Sequence, residues 1–170
     1  MRVELINPFI LAAGEVLQSE LGVKAKRGRL QLHVETYITD DITVLISLVG
    51  DAWGVVMMGL GFGTAKAIVS RILGEQVTEF NELAQSGISE LGNVIAGLAT
   101  TKLGAAGYHT NISVPTLIVG QGSRISTFDI SRLLVPLETE YGSITLTLAV
   151  REASGNTWNP AIQVGTPSAG

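Results

Sequence analysis

Ser86, Glu90, Asn93 and Gly97 follow one another at intervals of four, three and four residues. On a helix these positions fall within about 60° of each other and form a narrow polar ridge. An asparagine carboxamide both donates and accepts hydrogen bonds, so it can hold a water molecule and fix its direction of attack. A carboxylate three residues earlier on the same face can pair with a cation, a charge-assisted bond worth about 1.5–3 kcal/mol. Glu-x-x-Asn alone arises by chance in roughly every second or third chain of this length, and an ordinary solvated helix face explains it equally well.

The element that must carry these residues is a long helix. Thr78 suits its N-cap, Glu79 and Glu82 suit the positive end of its dipole, and the pattern runs to about Leu103 before Gly104. Leu83, Gly87, Leu91, Val94 and Leu98 form a stripe expected to face the core, with Ile88 and Ile95 at its border. Ser89, Ala96 and Thr100 flank the ridge and Gly92 lies farther round, so no bulky side chain would hold a docking surface away. A glycine inside a helix costs about 1 kcal/mol relative to alanine. Close packing would explain keeping Gly87, and close docking would explain Gly97.

The remaining pattern gives the helix its setting. Ile6, Phe9, Ile10, Ala13, Val16, Leu17 and Leu21 repeat at helical spacing, and Gly22 is a natural stop. Residues 29–38 alternate apolar and polar as a half-exposed strand, and Asp40-Asp41 turns the chain. Ile42–Val49 and Ala52–Leu60 read as a hairpin through Gly50-Asp51, with Trp53 and Met57-Met58 in its core. A short helix over Thr64–Leu73 closes at Gly74, and further strands are expected over His109–Val119, Arg132–Glu138 and Ser143–Val150. The expected fold is α+β, an antiparallel sheet packed with helices, in which a helix followed by three strands occurs twice. Residues 1–152 form the domain; over 153–170 apolar periodicity stops and Gly, Pro, Ser and Thr abound, so a disordered tail is expected.

Composition narrows the chemistry. The 170 residues are 46% hydrophobic, enough for one domain core, and no apolar run is long enough to span a membrane. With no cysteine, there is no disulfide framework, thiol nucleophile or thiolate metal site. The two histidines, His33 and His109, lie on separate expected strands without partners for a metal site or a Ser-His-Asp triad. Net charge is −4 and the basic residues do not gather on a helix, which argues against nucleic acid. The cluster Lys24, Lys26, Arg27 and Arg29 reads as a charged strand edge that discourages strand addition. Gly59-Leu60-Gly61-Phe62-Gly63-Thr64-Ala65-Lys66 has neither Gly-Lys-Ser/Thr nor Gly-x-Gly-x-x-Gly, so it reads as a strand-to-helix turn.

The wider pattern is Ser86-x3-Glu90-x2-Asn93-x21-Pro115, set in Glu90-Leu91-Gly92-Asn93-Val94-Ile95-Ala96-Gly97 and preceded by Ala65-x2-Ile68-x3-Ile72-Leu73-Gly74. It resembles the CheC, CheX and FliY phosphatase family, whose signature is Asp or Ser, then Glu, then Asn, then a distant Pro. CheC-type members carry two such sites. Here the first helix offers only Glu15-x-x-Gln18, with Leu11 where Asp or Ser would stand, so one site resembles the CheX type. The resemblance implies a cytoplasmic homodimer joined through exposed strands, which hydrolyses the aspartyl phosphate of a CheY-like response regulator. It implies that Asn93 positions water, Glu90 pairs with the regulator's active-site lysine, and the regulator supplies Mg2+. Gly97 would border the docked partner, and Ser86 either extends that docking surface or is simply a small helix residue. Pro115, unable to donate a ladder hydrogen bond, is read as marking an edge or bulge rather than as catalytic. The alternatives are a non-catalytic binding module related to flagellar switch proteins and a phosphatase of a regulator outside chemotaxis.

Overall fold

The computed structural model describes residues 2–34, 36–126 and 130–153. The expected first helix forms as α1 (Val3–Leu21), burying Leu5, Ile6, Phe9, Ala12, Ala13, Val16, Leu17 and Leu21. Gly22 ends it at φ 72°, where its N–H donates to the Gln18 carbonyl at 3.0 Å. Only glycine adopts that left-handed conformation without a Cβ penalty.

The segment expected as one strand over 29–38 is divided. β1 (Lys26–Arg27) and β2 (Gln31–His33) both pair with β9 (Arg132–Thr139), whereas β3 (Tyr37–Ile38) leaves to form a two-stranded sheet with β8 (Arg124–Ile125). Tyr37 supplies a reason for the departure. It is buried, donates its hydroxyl hydrogen to Asp40 Oδ2 at 3.2 Å, and lies 3.5 Å from Thr43 Oγ1 on β4 (Ile42–Gly50). Burial first, with Asp40 adding to it, pushes the phenol from its ordinary 10.0 up to about 12.

β4 and β5 (Ala52–Leu60) make the expected hairpin, in register from Ile42 opposite Leu60 to Leu48 opposite Gly54. α2 (Phe62–Leu73) starts two residues before the expected Thr64, because Asp41 Oδ2 accepts from the Phe62 N–H at 3.2 Å and fixes its first turn. α3 is Glu82–Ala105. The strand expected over His109–Val119 forms two pieces on the same edge of β4, β6 (Thr110–Ile112) and β7 (Thr116–Val119). Between them, Ser113 exchanges two bonds with Ser47, through its backbone N–H at 2.9 Å and its Oγ at 3.0 Å. Pro115, which has no N–H, stands in this break, as an edge-or-bulge residue should.

β9 and β10 (Gly142–Glu152) form a second hairpin, and the main sheet is ordered β1-β9-β10-β5-β4-β6, with β2 on β9 and β7 on β4. All pairings are antiparallel. The doubled pattern seen in the sequence now has a spatial meaning. Each unit contributes a hairpin to the middle of the sheet, and its interrupted strand pairs with the other unit's hairpin. β5 and β10 therefore have both edges occupied within one chain, which assigns Met57, Met58 and the last strand to the monomer core rather than to an intermolecular sheet. Trp53 departs from expectation: it is 36% exposed at the start of β5, with the Arg151 guanidinium 4.1 Å from its ring centroid.

Even-numbered residues of β4, β5 and β10, among them Val44, Ile46, Val56, Met58, Leu146 and Leu148, join the core formed with α1, α2 and α3. α1 and α3 pack on each other, α3 lies over β4, and α1 and α2 contact β10. The tail beyond Ala153 falls outside the described residues.

Candidate functional site

Asn81, not Thr78, caps α3: its Oδ1 accepts from the Ala84 N–H at 3.0 Å. The segment that precedes this cap runs back along α2, where Thr78 gives its carbonyl to Lys66 Nζ at 3.2 Å and Val77 gives its N–H to Ser70 Oγ at 2.9 Å.

The buried face of α3 comprises Ala84, Ile88, Leu91, Gly92, Ile95, Ala96, Ala99 and Leu103. This differs from the stripe expected from sequence. Leu83 is 57% and Val94 38% exposed, and the inward face is rotated by about 100° toward the small residues. Gly92, which lies farther round than the flank of the ridge, packs closely on the sheet; a Cβ there would lie 2.9 Å from Val44 Cγ1. Gly87 does pack closely, as expected, with its Cβ direction 3.5 Å from Val69 Cγ2 of α2.

The polar ridge lies opposite this buried face. Ser86 and Glu90 are exposed, and Asn93 and Gly97 are half-buried. Asn93 Nδ2 donates to Glu90 Oε2 at 3.4 Å, so the helix brings the two side chains together as the spacing requires. At that length the bond is weak and either group can exchange it for a stronger partner. Ser89 and Thr100, by contrast, turn their hydroxyls onto their own helix, donating to Gln85 O at 2.8 Å and Gly97 O at 2.7 Å. At Gly97 an added Cβ would meet nothing within 4 Å. Next to Gly97 the surface offered is thus a carboxylate and a carboxamide beside bare backbone.

The other candidates are accounted for by local structure. Glu15 of α1 is held by Lys102 Nζ at 2.8 Å, so the Glu15-x-x-Gln18 segment presents no matching pair. His33 sits beside Gln31 Oε1 at 3.3 Å in β2, and His109 is exposed before β6. Among the described residues, no group of three or more His, Asp or Glu side chains could hold a metal ion. At the glycine-rich turn, Asp41 already accepts from the first N–H of α2, where a phosphate would otherwise bind. Lys24, Lys26, Arg27 and Arg29 are all exposed around β1 at the sheet edge, as expected.

The family described as chemotaxis phosphatase CheX matches residues 42–138, more than half of the chain and all of α3. The chain belongs to the CheX family. A CheX relative named CheY-P phosphatase, from Thermotoga maritima, is 29% identical over 131 residues, covering 76% of this chain and 84% of the relative. The CheX structure from Borrelia burgdorferi, solved as a CheX–CheY–BeF3–Mg2+ complex, is 28% identical with a TM-score of 0.77 over 89% of this chain and 100% of that one. A CheC-like superfamily protein from Shewanella sp. PV-4 gives a TM-score of 0.81 at 24% identity, covering 89% and 99% of the two chains, and supports the fold. No helix among the described residues is long and apolar enough to cross a membrane.

On α3, Leu83 and Val94 are the exposed residues that apolar periodicity placed inward. The signal that would have found them is the run Ala84, Gly92, Ala96 and Ala99: small residues along one face mark where a helix backbone approaches its neighbours, leaving larger apolar residues on the opposite face.

Proposed function

We propose that this chain hydrolyses the aspartyl phosphate of a CheY-like response regulator in the cytoplasm, with Asn93 positioning the attacking water and Glu90 anchoring the regulator's active-site lysine. The observation that carries the reading is the Glu90–Asn93 pair on the outer face of α3, joined by a 3.4 Å bond that a partner can replace, beside open backbone at Gly97. The names of its relatives, a CheY-P phosphatase and a CheX solved with CheY, supply the substrate class.

An acyl phosphate is already activated, and the receiver that carries it holds the phosphoryl oxygens with its own Mg2+ and lysine. What it lacks is a water held in line. The carboxamide of Asn93 supplies that geometry, which is catalysis by orientation. The water oxygen bonds to phosphorus as the P–O bond to the receiver's aspartate breaks, releasing a carboxylate and inorganic phosphate that keeps the water's hydrogens. Orienting one water is worth about a hundredfold in rate, or roughly 2.7 kcal/mol. Glu90 takes the lysine ammonium and sets the depth to which α3 enters, while Ser86 and Gly97 border the docked receiver. A second copy of the chain completes a homodimer through exposed strands.

The test is decay of radiolabelled phosphate from a CheY-like receiver in Mg2+. The wild-type chain accelerates decay; Asn93→Ala abolishes the acceleration while retaining binding, and Glu90→Ala weakens both. A wild-type chain that binds the phosphorylated receiver without accelerating its decay would replace this reading with a non-catalytic binding module.

A further inference from the structure

Leu83 and Val94 are large apolar side chains on the exposed face of α3, 57% and 38% accessible. Isolated surface hydrophobics are common and need no explanation. The alignment of these two with the catalytic ridge is what calls for one. Taking Glu90 as origin, Leu83 and Val94 lie within about 40° of it, so Leu83, Ser86, Glu90, Asn93, Val94 and Gly97 occupy a single arc of about 100°. Leu83 stands two turns before Glu90 and Val94 one turn after, about 16 Å apart along the axis. The only formal charge in that stretch, Glu90, is therefore bracketed by apolar side chains.

We infer that Leu83 and Val94 are the apolar anchors that select the receiver, burying themselves against two apolar patches on either side of its phosphorylation pocket. This rests on the hydrolytic reading for the identity of the occupant, and on continuity with the Glu90–Asn93 ridge for its position. Covering the two side chains excludes bulk water from the space between them. A charge-assisted bond at Glu90 strengthens when it is dry, so the apolar contacts and the ion pair tighten docking together. Receivers that carry charge opposite either position would have to bury it unpaired and are rejected. The ridge supplies the chemistry common to all such receivers, and its two apolar ends discriminate among them.

The experiment compares the full-length wild type with Leu83→Ser, Val94→Ser and the double variant. Binding is read against a CheY-like receiver activated with beryllofluoride and Mg2+, and turnover against the phosphorylated receiver. Each single substitution is expected to raise Kd and KM about tenfold, from loss of one buried aliphatic side chain, with the loss lying in KM rather than in kcat. Leu83→Met and Val94→Ile, which keep an apolar surface, restore affinity and show that the serine variants do not act through misfolding. Wild-type hydrolysis together with unchanged affinity in the double variant overturns the anchor role and leaves the hydrolytic reading standing. Affinity lost in the serine variants, with no hydrolysis by the wild type, supports the anchors and removes the hydrolytic reading. A fall in kcat at unchanged KM also overturns the proposal, since it would place these residues in shaping the helix.

Discussion

Gly92 and Gly97 lie in the interior of the same helix, so replacing either with alanine gives the same intrinsic gain of about 1 kcal/mol. Their surroundings give the two substitutions opposite signs. At position 97 the new methyl meets nothing within 4 Å, so the gain is kept. At position 92 it would lie 2.9 Å from Cγ1 and 3.4 Å from Cβ of Val44, and 3.5 Å from Met58 Cε. Val44 is buried, β-branched and fixed in the ladder between β5 and β7, so it gives way poorly. Relief comes chiefly from α3 rising off the sheet, at an overpacking cost of about 1–3 kcal/mol. Gly97→Ala should therefore gain up to about 1 kcal/mol and Gly92→Ala should lose about 1 kcal/mol. The difference of about 2 kcal/mol separates their melting temperatures by about 4–8 °C in a domain of this size. Activity should fall in both for different reasons. Gly92 precedes Asn93, so a lifted helix displaces the carboxamide and lowers kcat, while the methyl at position 97 obstructs docking and raises KM. Paired calorimetry and phosphate-release kinetics on the two variants give both readings. Equal melting temperatures, or a stabilised Gly92→Ala, would refute the close approach of α3 to β4.

The N-cap assignment predicts that Asn81→Ala costs about 1 kcal/mol in denaturant unfolding, with Thr78→Ala within about 0.5 kcal/mol of wild type. Tyr37 has a folded-state pKa of about 12 against an ordinary 10.0, so the fold favours its neutral form. Its contribution is full below pH 10 and is lost as pH rises toward 12. Tyr37→Phe should flatten that part of the alkaline stability profile, measured by denaturant midpoints from pH 9 to 12; an unchanged slope would place the alkaline loss elsewhere. Together with Asn93→Ala and the serine variants of Leu83 and Val94, these cover cap, core, chemistry and docking.

The central hairpin was legible because β4 and β5 carry β-branched and apolar runs on both sides of Gly50-Asp51, and α1 because its apolar residues keep helical spacing up to Gly22. The Ser86-Glu90-Asn93-Gly97 ridge was legible for a simpler reason: helical geometry fixes which residues share a face, whatever the helix packs against. Where the chain breaks its strands was not legible. Residues 29–38 and 109–119 each read as one strand, because alternation reports local exposure and cannot show that Tyr37 will seek Thr43 or that Ser47 will bond Ser113. The orientation of α3 was the largest surprise. Counting large apolar residues placed Leu83 and Val94 inward, but the face that α3 buries carries Ala84, Gly92, Ala96 and Ala99, with Gly92 close against Val44 of β4. The sequence by itself determined which groups stand together on the helix; only tertiary packing decided which way that face points, because close approach rewards small residues and a periodicity count rewards large ones.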